Sequence, residues 1–183
     1  MKKRNYINYI IAIVIVGALA VLIVVPRLND PNREDKKRWK AADVRCLTGG
    51  HVNLAQHIHS RLVILVDGEQ ELIGANIGVV QGCMSETHTH DQSGGLHVES
   101  IQANKEFRVA QFFTVWGKSL EREGYTLSAT IGGVETSGVE NIIFRDGQQI
   151  VLEYRSDEYV PPETSEIPTD EEEAMTEEDE DLE

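Results

Sequence analysis

The six histidines are the residues best suited to chemistry in this chain, and all of them lie between His51 and His97. Five of them, with one glutamate, form pairs separated by a single residue. These pairs are His57 and His59, His88 and His90, and His97 and Glu99. Residues i and i+2 of a β-strand point to the same face of a sheet, so each pair would present two donor atoms to one side. Imidazole and carboxylate are common ligands of transition metals, so the spacing predicts a metal site, for zinc or copper.

The three pairs are predicted to meet at one site. Gly94 and Gly95 lie in the segment before the third pair and allow it to fold back on the second. The predicted ligands are His88, His90 and His97 at the centre, with His57, His59 and Glu99 close by. Asp91 is predicted to orient a ligand histidine from outside the coordination sphere, and Cys83 to add a thiolate. The alternative is a set of metal-free polar side chains on the face of a sheet.

The chain contains two cysteines, Cys46 and Cys83. Outside the cytoplasm, an even number of cysteines permits one disulfide. The alternatives are two unpaired thiols, or Cys83 acting as a metal ligand.

The elements that position this site begin with a hydrophobic segment. Residues 6–26 contain no charged side chain, and as a helix they would span roughly 30 Å, the thickness of a bilayer hydrocarbon core. We therefore predict a single-pass membrane anchor. There are two alternatives. One is a buried core helix, and the other is a cleaved signal peptide, for which Ala18 and Ala20 supply a suitable cleavage motif. The basic residues at positions 2–4 predict a cytoplasmic N-terminus and an extracytoplasmic domain, although further basic residues follow the segment.

The chain divides into four predicted segments. These are residues 1–26 as a transmembrane anchor, 27–44 as a juxtamembrane linker, 45–157 as a β-rich globular domain, and 158–183 as a disordered acidic tail. From residue 161 onwards there are twelve acidic residues and no lysine or arginine, and such a composition buries too little apolar surface to fold.

The remainder of the chain has a formal charge of only −2, and it shows no basic stripe with interleaved aromatic residues. The sequence therefore gives no support to nucleic-acid binding.

The predicted fold class is α+β, a small β-rich domain with one main helix packed on the sheet. Strands are predicted over residues 57–66, 71–73, 77–80, 96–99, 125–131, 141–144 and 150–154. The last two are expected to form a hairpin through an Asp-Gly turn. A helix is predicted over residues 109–121, because Phe112, Phe113 and Trp116 fall on one face and would be buried.

Complete motifs of known catalytic families are absent from the sequence, including H-E-x-x-H, G-x-S-x-G and the P-loop. Several other motifs occur in a fixed order over residues 46–155. They are His57-Ile58-His59, Asn76-Ile77-Gly78, Cys83, His88-Thr89-His90-Asp91, Gly94, His97-Val98-Glu99-Ser100 and Phe112-Phe113-Thr114-Val115-Trp116-Gly117. This order resembles an uncharacterised group of membrane-anchored or secreted prokaryotic proteins. Two positions depart from the pattern. Ser60 stands where proline or alanine is common, and Thr87 stands where leucine is common. The resemblance implies the architecture and the candidate site, but no reaction.

Three functions compete at this point. The first is an extracytoplasmic metal-binding domain that serves in metal handling or sensing. The second is a metalloenzyme, in which Glu99 or Asp91 would act as the general base. The third is a metal-free scaffold for a partner protein. The lack of a complete catalytic motif favours the first function over the second, and it leaves open whether the chain is an enzyme.

Overall fold

The first helix, α1, spans Lys2–Leu28 in the computed structural model, which describes residues 2–28 and 30–160. Its segment Tyr6–Val25 is long and apolar enough to cross a membrane, and none of it is buried against other parts of the chain. The helix continues past Pro26, where the sequence predicted its end. The predicted acidic tail falls, from residue 161 onwards, outside the described residues.

A second helix, α2, spans Arg33–Ala41 and occupies the segment predicted as a linker. Its Trp39 is buried in the core and donates a hydrogen bond from Nε1 to the Val115 carbonyl at 3.1 Å. The Arg38 Nε donates to the Thr114 carbonyl at 2.8 Å. The packed unit therefore begins before the predicted boundary at residue 45, because one aromatic side chain in a charged segment gains enough by burial to dock the helix.

Ten strands form two sheets in the part of the chain that the structure describes. The strands are β1 Cys46–Leu47, β2 Gln56–Val66, β3 Glu69–Glu71, β4 Val79–Val80, β5 Cys83–Ser85, β6 Thr87–His88, β7 Gly95–Ser100, β8 Tyr125–Ile131, β9 Val134–Thr136 and β10 Gln149–Ser156. The larger sheet has the order β6-β7-β2-β10-β8-β9, with β3 also paired to β2, and the smaller has the order β1-β5-β4. Strands β2 and β10 pair in parallel. The long strand β2 thus lies at the centre of the larger sheet.

The two faces of the larger sheet differ in composition, as its alternating sequence predicts. Leu62 and Ile64 of β2 and Leu96 and Val98 of β7 are buried in the hydrophobic core. The histidines of the same strands alternate with core-facing residues and point to the opposite face. Burial of the apolar face therefore fixes which side of the sheet carries the histidines.

The main helix of the domain, α3, spans Val109–Trp116 and is shorter than predicted. It ends at Gly117, whose φ of 78° terminates the helix in the left-handed conformation. Phe112 and Phe113 are fully buried, as predicted. The prediction for Trp116 was wrong, because its ring is only partly buried and packs at the edge of the core beside the Lys118 ammonium.

The predicted hairpin between residues 141–144 and 150–154 is not formed. A short 3-10 helix covers Val139–Asn141, and Ile143 pairs instead with Arg108 in an isolated bridge just before α3. Strand β10 lies between β2 and β8. The Asp-Gly turn is present, but long-range pairing of both flanking segments overrides the local hairpin signal.

The fold is α+β, as predicted, with an apolar N-terminal helix and helices packed on a sheet.

Candidate metal centre

Strand register brings the predicted histidine pairs side by side. His59 of β2 lies opposite His97 of β7, and His88 of β6 lies opposite His97 on the other side. The ring centroids of His59 and His97 are 4.6 Å apart, and those of His88 and His97 are 5.3 Å apart. His57 lies opposite Glu99 in the next row. The six predicted ligands therefore converge on one patch of the sheet.

The Glu99 carboxylate lies at one end of this patch and is fully buried. Its Oε1 lies 2.7 Å from His51 Nδ1, 3.2 Å from His57 Nε2 and 3.7 Å from His97 Nδ1. Its Oε2 has no hydrogen-bond partner among the described residues. A buried carboxylate without full pairing carries a large desolvation penalty, which nearby positive charge relieves.

His88 lies at the other end and is also fully buried. Its Nδ1 donates a hydrogen bond to the Ser85 carbonyl at 3.0 Å. This bond fixes the tautomer, so the Nε2 carries the lone pair. Burial, followed by repulsion from His90 and His97, lowers the pKa of His88 to about 3. The ring is therefore neutral at physiological pH and can act as a ligand.

His97 occupies the middle of the patch and has neighbours on both sides. Its Nδ1 lies 3.4 Å from His57 Nε2, and its ring centroid lies 4.6 Å from that of His90. Burial, followed by repulsion from His90 and His59, lowers the pKa of His97. The environment thus favours the neutral imidazole, the form that binds metals.

Among the described residues, three groups of side chains each hold their donor atoms within 4.8 Å of one another and could bind a metal ion. They are His51, His88 and His90; His57, His59 and His97; and His88, His97 and Glu99.

His51 belongs to the site, although sequence reasoning did not include it. It has no partner two residues away, so the strand spacing that identified the other five does not apply. It lies in the loop between β1 and β2, and only the tertiary structure carries that loop to Glu99. The one available signal was its position in the same short stretch that holds every other histidine.

Two predicted accessory residues have other roles. Cys83 forms a disulfide with Cys46, so its sulfur is not a free thiolate and the prediction of Cys83 as a ligand is corrected. The Asp91 carboxylate accepts a hydrogen bond from the Ser93 backbone N–H at 2.9 Å, which holds the turn before β7. Hydrogen bonding by the Ser93 side chain, followed by that of its backbone N–H, lowers the pKa of Asp91. A role for Asp91 in orienting a ligand histidine stays a prediction.

Gly94 allows the turn before β7 to lie close against β2, and this contact helps to assemble the site. Its φ is +81°, and a Cβ at this position would lie 2.3 Å from the Leu62 carbonyl oxygen. The Leu62 N–H donates to the Gly94 carbonyl at 2.9 Å, which joins the turn to β2. Any larger residue would push the start of β7, and with it His97, away from β2.

No protein-family model, no curated protein and no solved structure matches this chain. The resemblance to the prokaryotic group with the same motif order stays a prediction. The interpretation of the site therefore depends on its own geometry.

Proposed function

We propose that this protein is anchored in a membrane by α1 and binds a divalent transition metal, zinc or copper, through its histidine cluster. Its role would be metal handling or sensing outside the cytoplasm. The observation that carries the proposal is the triangle formed by His57 Nε2, His97 Nδ1 and Glu99 Oε1, with edges of 3.4, 3.2 and 3.7 Å.

The edges of this triangle match the spacing of donors around one ion. Zinc binds imidazole nitrogen and carboxylate oxygen at about 2.0–2.1 Å, so two ligands at the tetrahedral angle lie roughly 3.3 Å apart. An octahedral ion with the same bond lengths would need edges of about 2.9 Å. The observed edges are closer to the tetrahedral value, which favours zinc over magnesium. The type of donor atom argues against calcium, since calcium takes oxygen ligands and most donors here are imidazole nitrogens.

The charge of the cluster also favours a cation. The buried Glu99 carboxylate lies against imidazoles, and its Oε2 has no hydrogen-bond partner among the described residues. A divalent cation would compensate its charge.

Two features support membrane anchoring and an extracytoplasmic domain. None of the apolar segment Tyr6–Val25 is buried, which is unlike a core helix. The Cys46–Cys83 disulfide suits an oxidising compartment. The intact chain should stay with membranes after a high-salt wash. Its recovery in the soluble fraction, or as a shortened chain beginning at Val21, would reject the anchor.

Metal binding should be tested on the full chain in detergent micelles by calorimetry with Zn(II) and, separately, with Cu(II). We expect binding in the micromolar range or tighter, and a rise in melting temperature, because an ion that binds only the folded state stabilises it. His57→Ala, a change at a half-exposed position, should weaken binding by at least tenfold.

Gln92→Ala is the matched control, since Gln92 is an exposed polar residue in the turn between β6 and β7. It should bind metal like the wild type. Weak binding of equal strength by the wild type and His57→Ala would refute the proposal.

A further inference from the structure

We propose that the cluster binds a second divalent cation, held by His51, His88 and His90, beside the ion at the Glu99 end. This inference rests on the proposed function and adds a separate site to it. It assigns a role to His51, which the sequence pattern did not include.

The cluster contains more donors than one ion can use. Six imidazoles and one carboxylate meet on the same patch, whereas zinc in proteins almost always takes four ligands. Three of these side chains, His57, His97 and Glu99, form the triangle at the Glu99 end. His59 groups with His57 and His97. The other three histidines form a group of their own.

His88 has one nitrogen free to bind a cation, and this side chain groups with His51 and His90 as well as with His97 and Glu99. Its Nδ1 is occupied by the Ser85 carbonyl, so only its Nε2 can bind a cation. That Nε2 lies 3.2 Å from His90 Nε2, which is close to the separation of roughly 3.3 Å expected for two nitrogen ligands on one tetrahedral ion. His88 and His90 therefore form the two fixed ligands of the second site.

His51 completes the second site from the opposite loop. Its Nδ1 lies 2.7 Å from Glu99 Oε1, a hydrogen-bond distance that is too short for two ligands of the same ion. As the donor in this bond, Nδ1 leaves the Nε2 lone pair free, and the two nitrogens of an imidazole point away from each other. His51 therefore takes its orientation from Glu99 and offers its other nitrogen to His88 and His90.

The two sites differ in coordination. The Glu99 end offers His57, His97 and Glu99 to one ion, and His59, which groups with His57 and His97, is the candidate fourth ligand of a tetrahedral shell. The second site has three histidines, so a tetrahedral ion there keeps one position for water or a small anionic ligand. The His51 side chain is 51% exposed and His90 is also exposed, so solvent reaches this position. The Glu99 carboxylate links the two sites, because it contacts ligands of both.

The number of bound ions decides between one site and two. The full chain in detergent micelles is dialysed against Zn(II) to saturation, and zinc per chain is measured by elemental analysis and native mass spectrometry. We expect about two zinc ions per chain for the wild type and for the control Gln92→Ala, as two four-coordinate sites require. His51→Ala/His90→Ala and His57→Ala/His59→Ala should each retain about one.

The outcomes separate this inference from the proposed function. A wild type that saturates with one zinc per chain overturns the second site and leaves the proposed function standing. Loss of all zinc in a double variant that stays folded also overturns it, because a single shared site would behave in that way. A wild type that binds neither zinc nor copper refutes the proposed function itself. All four substituted histidines are at least partly exposed, and the wild-type stoichiometry decides the question even where a variant fails to fold.

Discussion

Replacing Lys105 by methionine should destabilise the part of the sheet that carries His88. The Lys105 ammonium lies 2.7 Å from the Glu86 carboxylate, which is fully buried, and the lysine side chain is itself only 10% exposed. The same carboxylate accepts hydrogen bonds from the Arg45 N–H and the Ser100 hydroxyl, each at 2.8 Å. Glu86 thereby ties β6 to β7 and to the chain before β1.

The size of the effect follows from burial. Methionine fills a similar volume but carries no charge, so the Glu86 carboxylate stays buried with only two neutral donors. Removing one partner of a buried ion pair costs about 3–5 kcal/mol, because the remaining charge is uncompensated. Glu86→Gln in the Lys105→Met background should restore about 1–2 kcal/mol, since it removes the unpaired charge.

Lys118→Met is the matched control. Lys118 forms a 2.9 Å ion pair with Glu71 at the surface, is 47% exposed, and leaves Glu71 still paired with Arg122. An exposed pair of this kind contributes no more than about 1 kcal/mol. Urea unfolding followed by tryptophan fluorescence measures both variants. A loss of less than about 1 kcal/mol for Lys105→Met, or equal losses for the two variants, would refute the reasoning.

Three further predictions concern acid, the disulfide and the two tryptophans. With the pKa of His88 at about 3 and an unfolded value of about 6.5, the unfolded chain binds more protons between these values. The free energy of unfolding of the metal-free protein should therefore fall as the pH drops through this range, by at most about 5 kcal/mol, and His88→Asn should flatten the dependence. The Cys46–Cys83 disulfide closes a loop with a sequence separation of 37, and Cys46→Ser/Cys83→Ser should cost about 4 kcal/mol in urea unfolding, with a loss below 1 kcal/mol counting against the bridge. Trp39→Ala should lower the free energy of unfolding by about 3–5 kcal/mol, and Trp116→Ala should lower it by less, because of the two tryptophans only Trp39 is fully buried. The reverse order would show that α2 is not part of the core.

Much of the fold could be predicted because its signals are local. The strands β2, β7 and β8 follow from alternating or β-branched segments, and the observed bounds differ from the predicted ones by at most one residue. The errors fall where distant contacts decide. Helix α2 packs on the domain through Trp39, which is buried in the core. Ile143 pairs with Arg108, just before α3, and not with the strand that follows it in the chain.

The candidate site divides in the same way. The i, i+2 spacing by itself placed His57 with His59, and His97 with Glu99, on one face, because strand geometry has a period of two. His90 lies beyond the end of β6, so its approach to His88 was decided by the tertiary structure. Which pairs lie opposite each other depends on register, and register is set by burial of residues such as Leu96 and Val98 on the other face. The inclusion of His51 and the removal of Cys83 from the ligand set were decided only by the tertiary structure. Loop closure and disulfide pairing join residues far apart in the chain, and no local pattern encodes their separation.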